Sequence, residues 1–113
     1  MLPKSSRLKI GKADSRRWPD KKEIFTPLFK AVYHITKEEG VKVGFIITGK
    51  VAVAAKRNRI RRLLSEAVYK KIEKFPKGLE IIFIINRPLK DFSYEIFTDW
   101  IDKILPKITR PVS

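Results

Sequence analysis

One run of eight residues, Leu79–Asn86, constrains the fold of this chain more than any other segment. Apart from Glu80 and Asn86, it consists of isoleucine, leucine and phenylalanine. An apolar stretch of this length, rich in β-branched residues, predicts a strand that is buried on both faces. Arg87 and Pro88 end the strand. We therefore expect a sheet in which this strand is central.

Two further strands are predicted earlier in the chain. Leu28–Thr36 alternates between a mostly apolar face and a mixed face. Its apolar face consists of Phe29, Ala31, Tyr33 and Ile35, and its mixed face of Leu28, Lys30, Val32 and His34. Glu38–Gly40 predicts a turn, and Val41–Thr48 predicts the next strand. Because the connection is short, we expect the two strands to pair as an antiparallel hairpin.

Helical periodicity predicts two helices. The first begins at Val53 or at Asn58 and ends at Phe75, before Pro76 and Gly78. Its core-facing stripe is Ile60, Leu63, Leu64, Ala67, Val68, Ile72 and Phe75. The second has Ser93 as its N-cap and Glu95 in its first turn, and Pro106 closes it.

The order strand, strand, helix, strand, helix predicts an α+β two-layer sandwich, a small central sheet packed with helices. The 113 residues are enough for one domain, and 43% hydrophobic residues supply one core. We place that core at residues 25–107. Residues 1–24 show no sustained period and predict an irregular basic arm, with at most a short helix around Arg7–Ala13.

Composition narrows the class of function. The chain has no cysteine, which excludes disulfides, zinc–thiolate sites and thiol catalysis. The longest strongly apolar runs are only about five residues, so no membrane span is expected and the default is a soluble cytoplasmic domain. With 26 Lys and Arg against 12 Asp and Glu, the net charge is +14. This charge predicts a polyanionic partner, nucleic acid ahead of an anionic membrane, because the apolar helix faces are needed for the core.

The segment Lys56–Arg62 concentrates that charge, with five cations in seven residues. A solvated helix face is the simplest interpretation, but two conflicts argue against it. The helix dipole disfavours cations at a helix start, and a regular helix would turn Lys56 and Arg57 toward the core. Either the helix begins near Asn58 or its first turn overhangs the sheet. A bound phosphate would relieve both conflicts, and Lys50 adds another cation nearby.

These residues resemble a known family, the bacterial ribonuclease P protein subunit. Thr48–Arg62 is similar to the family's signature, in which a strand end of Ser or Thr, any residue, Lys, and Val or Ile leads through a short alanine-rich stretch. The signature then continues as Arg-Asn-Arg, Ile or Val, Lys or Arg, and Arg. Val43–Phe45 before the signature and Glu80–Pro88 after it fit the same pattern. So do Met1–Lys4 and Arg7–Lys9 at the start of the chain.

The resemblance, which covers roughly residues 28–105, implies a non-catalytic subunit of an endoribonuclease. Family members bind a large catalytic RNA and help it to remove the 5′ leader from precursor tRNA, with Mg²⁺ held mainly by the RNA. The implied partners are therefore that RNA and the leader, without a membrane or an obligate protein partner. The family fold also implies a left-handed crossover from strand through helix to parallel strand, as in some ribosomal proteins.

The resemblance also implies roles for particular residues. Those that would bind RNA are Lys50, Lys56, Arg57, Asn58, Arg59, Arg61 and Arg62, with Lys56 also near the leader phosphates. Phe29 and Tyr33 would line the leader cleft. Family members have a pair of phenylalanines in an N-terminal helix that this chain lacks, and Trp18 and Phe25 are the candidates to replace it.

The residues themselves predict no catalytic or metal site in the protein. Its carboxylates are scattered, and Asp99 with Asp102 is only an i,i+3 pair on a helix beside lysines. His34 is the only histidine, so an acid–base pair of imidazoles is impossible, and we expect it at the surface. The alternative function is a structural RNA-binding protein of the ribosomal type, which charge alone does not distinguish from a ribonuclease P subunit.

Overall fold

The computed structural model describes residue 18 and residues 20–48 and 53–109. In chain order, the elements in these residues are β1 (Lys22–Phe25), β2 (Lys30–Ile35), β3 (Lys42–Ile47), α1 (Ala54–Lys70), a 3₁₀ turn (Ile72–Lys74), β4 (Leu79–Ile85) and α2 (Tyr94–Thr109). The predicted α+β class is confirmed. Most of the predicted N-terminal arm, including its short helix at residues 7–13, lies outside the described residues.

The strands form one sheet in the order β1-β2-β4-β3. β4 is antiparallel to β2 and parallel to β3, and β1 is antiparallel to β2. The central, doubly buried position predicted for Leu79–Asn86 is confirmed, since Leu79, Ile81 and Phe83 are 0% exposed and Ile82 is 1% exposed. The parallel pair joined through α1 is a strand–helix–strand crossover.

The predicted hairpin between β2 and β3 is wrong, because β4 lies between them. The connection from β2 to β3 instead passes over the beginning of β4. There Thr36 donates its N–H to the Gly78 carbonyl at 2.8 Å, and Gly78 donates to the Gly40 carbonyl at 3.1 Å. Gly78 has φ of +86°, and a Cβ at this position would collide with the Thr36 carbonyl oxygen. Only glycine therefore fits where the three segments meet.

The predicted irregular arm of residues 1–24 extends too far, because Lys22–Ile24 form a strand, β1, together with Phe25. Residues 22–25 pair with β2 in the register Lys22 to Tyr33 and Phe25 to Lys30. Of the four strand residues, only Ile24 is buried, so the segment lacks the alternation that would have predicted a strand.

The two faces of the sheet have different surroundings. The helix-facing side packs against α1 and α2 and carries Ile24, Phe29, Ala31, Tyr33, Val43, Ile47, Leu79, Ile81, Phe83 and Ile85. The register places the alternate residues on the other side, called the outer face, which carries Phe25, Lys30, Val32, His34, Lys42, Ile46, Glu80, Ile82 and Ile84. On the helix-facing side, the rings of Phe29 and Phe83 pack edge to face with 5.1 Å between their centroids.

The helices end at different residues than predicted. α1 ends at Lys70 rather than Phe75, and a 3₁₀ turn carries the chain to the buried Phe75. α2 continues past Pro106 to Thr109, although proline supplies no N–H to the preceding turn. The continuation buries Ile108, which is 6% exposed. In the described part of the chain, neither helix is long and apolar enough to cross a membrane.

Candidate nucleic-acid interface

One end of the sheet collects most of the sequence features that suggest a polyanion. β1, β3 and β4 end there and β2 begins there, because of their relative directions. α1 starts from the same end, where Lys56 Nζ lies 5.7 Å from the ring centroid of Phe92 in the β4–α2 connection. We call this end the cationic pole, and its cations are Lys30, Lys56, Arg57, Arg59, Arg87 and Lys90.

The first turns of α1 extend beyond the core. The helix begins at Ala54, yet its first buried residue is Ile60. Of the two alternatives posed by the sequence, the overhanging first turn is confirmed. Lys56 is therefore exposed rather than driven into the core, while Arg57 is half-buried.

The start of α1 has none of the usual stabilising groups. The N-cap is Val53, which is 73% exposed and makes no side-chain hydrogen bond to the helix. No acidic residue lies in the first turn. The N–H groups at this end therefore have no side-chain acceptor from the cap, and the positive end of the dipole is not neutralised.

Four cations along α1 have no carboxylate partner among the residues that the structure describes. No ion pair within the described residues involves these four side chains, which are Lys56, Arg59, Arg61 and Arg62. Lysines elsewhere form ion pairs, as with Lys71 and Asp102 at 3.1 Å. All four are exposed, and Arg61 Nη1 donates to the Asn58 Oδ1 at 3.3 Å, which orders two members of the Arg-Asn-Arg-Ile-Arg-Arg segment. This arrangement presents guanidinium forks and helix N–H groups to solvent, as phosphate binding requires.

The residues proposed to line a leader cleft are not at a surface. Phe29 is 4% exposed and Tyr33 is 5% exposed, and both lie on the helix-facing side. Burial raises the pKa of the Tyr33 hydroxyl above its usual 10.0. The expectation that these two rings face RNA is wrong, because period-2 alternation turns them toward α1 and α2. Lys50, the remaining predicted site residue, lies outside the described residues.

His34 is buried, which corrects the prediction of a surface histidine. It is 7% exposed, and its Nε2 lies 2.6 Å from Glu80 Oε1. Trp18 stacks on the imidazole at 4.1 Å between centroids and 18° between planes. The imidazole therefore contacts the Glu80 carboxylate along one edge and the Trp18 indole on one face. No group of three His, Cys, Asp or Glu in the described chain is arranged to hold a metal ion.

The outer face adds cationic-pole residues that the sequence analysis overlooked. Lys30 Nζ lies 3.3 Å from Glu23 Oε1 and 5.4 Å from the Phe25 ring centroid. Arg87 and Lys90 are exposed in the connection after β4. The sequence did indicate an exposed position for Lys30, because this lysine lies on the mixed face of Leu28–Thr36.

An α+β sandwich with a cationic pole and an overhanging arginine-rich helix is typical of small nucleic-acid-binding proteins. The family model described as Ribonuclease P matches residues 2–109. The chain therefore belongs to the ribonuclease P protein family, whose members are components of an endoribonuclease complex of tRNA 5′ processing.

Curated relatives agree with this assignment. The ribonuclease P protein component of Finegoldia magna is 31% identical over 94 residues, which cover 83% of this chain and 82% of that protein. The component from Pelotomaculum thermopropionicum is 36% identical over 66 residues, covering 58% of this chain and 59% of the relative. The latter alignment thus spans less than two thirds of either chain.

Solved structures show the same fold. The ribonuclease P protein of Staphylococcus aureus superposes with a TM-score of 0.78 at 20% identity, covering 94% of this chain and 97% of that one. The protein from Thermotoga maritima superposes with a TM-score of 0.70 at 22% identity, covering 95% and 98%.

Proposed function

We propose that this chain binds the catalytic RNA of ribonuclease P through the first turns of α1 and assists removal of the 5′ leader from precursor tRNA. The observation that carries the proposal is the start of α1, which has no side-chain cap and is followed by Arg59, Arg61 and Arg62, all exposed and without a carboxylate partner among the described residues. Membership in the ribonuclease P family supports the identity of the RNA.

The chemistry of this helix start favours phosphate over other anions. Arg59, Arg61 and Arg62 each offer a planar fork that two phosphate oxygens can accept. The free N–H groups of the first turn add donors that point along the helix axis. A phosphodiester backbone presents such groups repeatedly, so several contacts form at once and release counterions.

The leader is assigned to the outer face of the sheet near the cationic pole. Lys30 and Arg87 are available there, whereas Phe29 and Tyr33 are enclosed by the helices. The net charge of +14 favours a single strand passing from the helix start onto this face.

Cleavage itself is assigned to the RNA partner and to the Mg²⁺ ions that the RNA holds. A protein metal site for phosphodiester hydrolysis would need clustered carboxylates, and the described residues do not bring three such ligands together. His34 is 7% exposed, with its Nε2 bound to Glu80 and its ring stacked on Trp18, so the imidazole is buried away from an attacking water. The protein then contributes affinity and position, and the RNA supplies the reacting centre.

The test is reconstitution with a bacterial ribonuclease P RNA at low Mg²⁺, measuring leader cleavage. We expect cleavage to need both components. Replacing Arg59 and Arg62 together by alanine should weaken binding of this RNA by about tenfold to a hundredfold, because two charge-assisted contacts are lost. The slope of log affinity against log salt should fall by about 1 for each phosphate contact removed.

A charge-matched control is the double variant Lys74→Ala with Lys77→Ala, since both lysines are exposed and lie beyond the far end of α1. An equal loss in the two double variants would reduce the helix start to a share of diffuse charge. Cleavage by the protein alone would overturn the assignment of catalysis to RNA. Failure to stimulate any of several ribonuclease P RNAs would favour a structural RNA-binding role instead.

A further inference from the structure

The only histidine of the chain lies in a layered cluster of side chains on the outer face of the sheet. His34 is 7% exposed, and the pairing of β2 with β4 places it directly opposite Glu80, whose Oε1 lies 2.6 Å from the imidazole Nε2. Trp18 stacks on the ring, with 4.1 Å between the centroids. A titratable ring is therefore enclosed by a carboxylate and an indole, and the RNA interface proposed at the start of α1 uses none of the three.

The burial of this ring is unusual within the molecule. Among the described residues, His34 is the only buried one whose side chain can carry a positive charge. Burying such a group costs free energy unless it is paired. An aromatic contact that only stabilises the fold needs no titratable partner, and Phe29 packs on Phe83 on the opposite side of the sheet without one. The contact between Trp18 and His34 therefore has a property that ordinary ring packing lacks, a dependence on protonation.

The chain turns back to bring Trp18 to this position. Asp20 has φ of 52°, in the left-handed region that few residues other than glycine adopt, although aspartate tolerates it better than most. The turn lies between Trp18 and β1, which is the edge strand of the sheet. Beyond the turn, the indole lies over β2, the second strand.

The two imidazole nitrogens have different surroundings. An ionised carboxylate can only accept, so Nε2 carries a proton and donates it to Glu80 in both the neutral and the charged ring. Nδ1 is buried and has no hydrogen-bond partner among the described residues. The proton that His34 gains or loses is therefore the one on Nδ1, and the charge of the ring changes without breaking the bond to Glu80.

The other charged groups on this side are paired with each other or exposed. On the outer face and in the connections beside it they are Asp20, Lys21, Glu23, Lys30, Glu38 and Lys42. Lys30 pairs with Glu23 at 3.3 Å and Lys42 pairs with Glu38 at 3.6 Å, while Asp20 and Lys21 are exposed. Within the described chain, Glu80 is therefore the one ionic group in contact with His34, and the charge of the imidazole acts on that carboxylate and on the indole.

We propose that Trp18 and His34 form a proton-operated latch, in which protonation at Nδ1 fastens Trp18 to the outer face and loss of that proton loosens it. A charged imidazolium is attracted to the face of an indole by a cation–π interaction, whereas the neutral ring is not. The charged ring also forms an ion pair with Glu80, which keeps the imidazolium in place under the indole. The latch goes beyond the proposed function, because it acts within the chain and needs no RNA.

The experiment follows Trp18 in the full chain by acrylamide quenching of its fluorescence from about pH 5 to pH 8, where histidine ordinarily changes charge. The chain has two tryptophans, so the variant Trp100→Phe leaves Trp18 as the reporter. The ratio of undocked to docked Trp18 should rise by about fivefold across this range, the size of one cation–π contact. The matched control is Trp18→Phe, in which Trp100 reports from α2 and its quenching should not follow the same transition.

Proton binding by His34 provides the reciprocal measurement. As the only histidine, it gives unique imidazole C–H signals in an NMR titration. Trp18→Leu keeps an apolar cover over the ring but has no π face, so His34 should bind its proton about fivefold less tightly than in the wild-type chain. Trp18→Phe keeps a π face and should stay close to the wild type.

His34→Gln should abolish the pH dependence of Trp18 quenching. Quenching that does not change with pH, or a transition that survives in His34→Gln, would overturn the latch. Proton binding in Trp18→Leu that is as tight as in the wild type, or tighter, would overturn it as well. If burial at this position prevents His34→Gln from folding, as urea denaturation would show, the NMR titration decides the matter on chains that keep His34. None of these measurements involves RNA, so their failure leaves the proposed function intact.

Discussion

The two helices of this protein begin in opposite ways. α2 starts at a capped end, where Ser93 Oγ accepts the Ile96 N–H at 3.1 Å, Glu95 lies in the first turn, and Phe97 is fully buried. α1 starts at Val53 with no side-chain cap, no acidic residue and no buried side chain before Ile60. Both helices pack on the same sheet, so the difference does not come from the fold.

The comparison shows that the start of α1 lacks contacts that would stabilise the folded state. A cap and a first-turn carboxylate stabilise a helix by roughly 0.5–2 and 0.3–1 kcal/mol. α2 has both and α1 has neither, while α1 adds cations that the dipole disfavours. These unfavourable choices coincide at one helix end, and a bound phosphate would compensate all of them. The start of α1 is therefore the less stable of the two helix starts, and it is the place where the proposed function puts the RNA.

The largest expected effect is on the free energy of unfolding, and it distinguishes the two helix starts because their side chains are buried to different extents. Phe97→Ala should lower the free energy of unfolding by about 3–5 kcal/mol, because it leaves a cavity between α2 and the sheet. Arg59→Ala should change it by less than about 0.5 kcal/mol, since this side chain is exposed. Urea denaturation of both variants tests the contrast. A comparable loss for the two would show that the start of α1 is a stability element after all.

A smaller effect comes from the α2 cap. Ser93→Ala should cost about 1 kcal/mol of unfolding free energy, because the Ile96 N–H loses its acceptor. Ser93→Asp keeps an acceptor and should retain the stability of the wild type. RNA binding should be the same in both variants. A change in RNA affinity would extend the interface to α2 and weaken the contrast between the two helix starts.

Supplying a cap to α1 should have the opposite sign. Val53 has φ of −64° and ψ of 160°, an extended geometry suited to an N-cap, and its side chain is 73% exposed. Val53→Asp should therefore raise the unfolding free energy by about 0.5–1 kcal/mol and weaken RNA binding, because the carboxylate occupies the N–H groups that a phosphate would use.

Val53→Asn provides a cap without charge and separates the two contributions. It should raise stability nearly as much and weaken RNA binding less. Tighter RNA binding by Val53→Asp would contradict phosphate binding at this helix end.

The smallest effect concerns the sheet on which both helices rest. Since burial raises the pKa of Tyr33 above 10.0, the hydroxyl stays neutral in the folded chain at a pH where it ionises in the unfolded chain. The stability it contributes is present below pH 10 and is lost as the pH rises through the folded-state pKa. Tyr33→Phe should lose less stability in that alkaline range, as measured by urea denaturation at several pH values.

Tyr69→Phe, at an exposed position, should keep the wild-type profile. An alkaline profile for Tyr33→Phe that matches the wild type would argue against the buried position of this ring, and would reopen a surface role for it.

Periodicity predicted the elements with a core-facing side, but not their neighbours. β2, β3 and β4 each have an apolar face or run that indicates a strand from local sequence alone. Pairing depends on which segment fills the gap between β2 and β3, which are separated by only a short connection. The burial of β4 on both faces indicated its place in the sheet, because a strand of this kind needs a neighbouring strand on each side. Insertion between β2 and β3 supplies both neighbours.

The site was predictable where charge conflicts with helix physics, and not where it depends on a register. The cations of Lys56–Arg62 conflict with both the helix dipole and the core stripe, which singled them out from the sequence alone as candidates for phosphate binding. The choice of Phe29 and Tyr33 failed because adjacent residues on a strand face opposite sides. The proximity of Phe25 to Lys30 was not predictable, because it arises from the pairing of β2 with β1, and the sequence did not indicate that β1 is a strand.

The insertion of β4 also sets the order in which the protein acquires its binding surface. β2 and β3 are neighbours along the chain but have no hydrogen bonds to each other, so both wait for a strand that follows a whole helix. Such non-local pairing slows folding, because a long loop must close before any strand of the sheet's centre is satisfied. On a ribosome, the arginines of α1 emerge before β4 and have no platform until it arrives. The cationic pole, which joins Lys30 of β2 to the first turns of α1 and to the residues after β4, is therefore complete only once β4 has paired with β2 and β3.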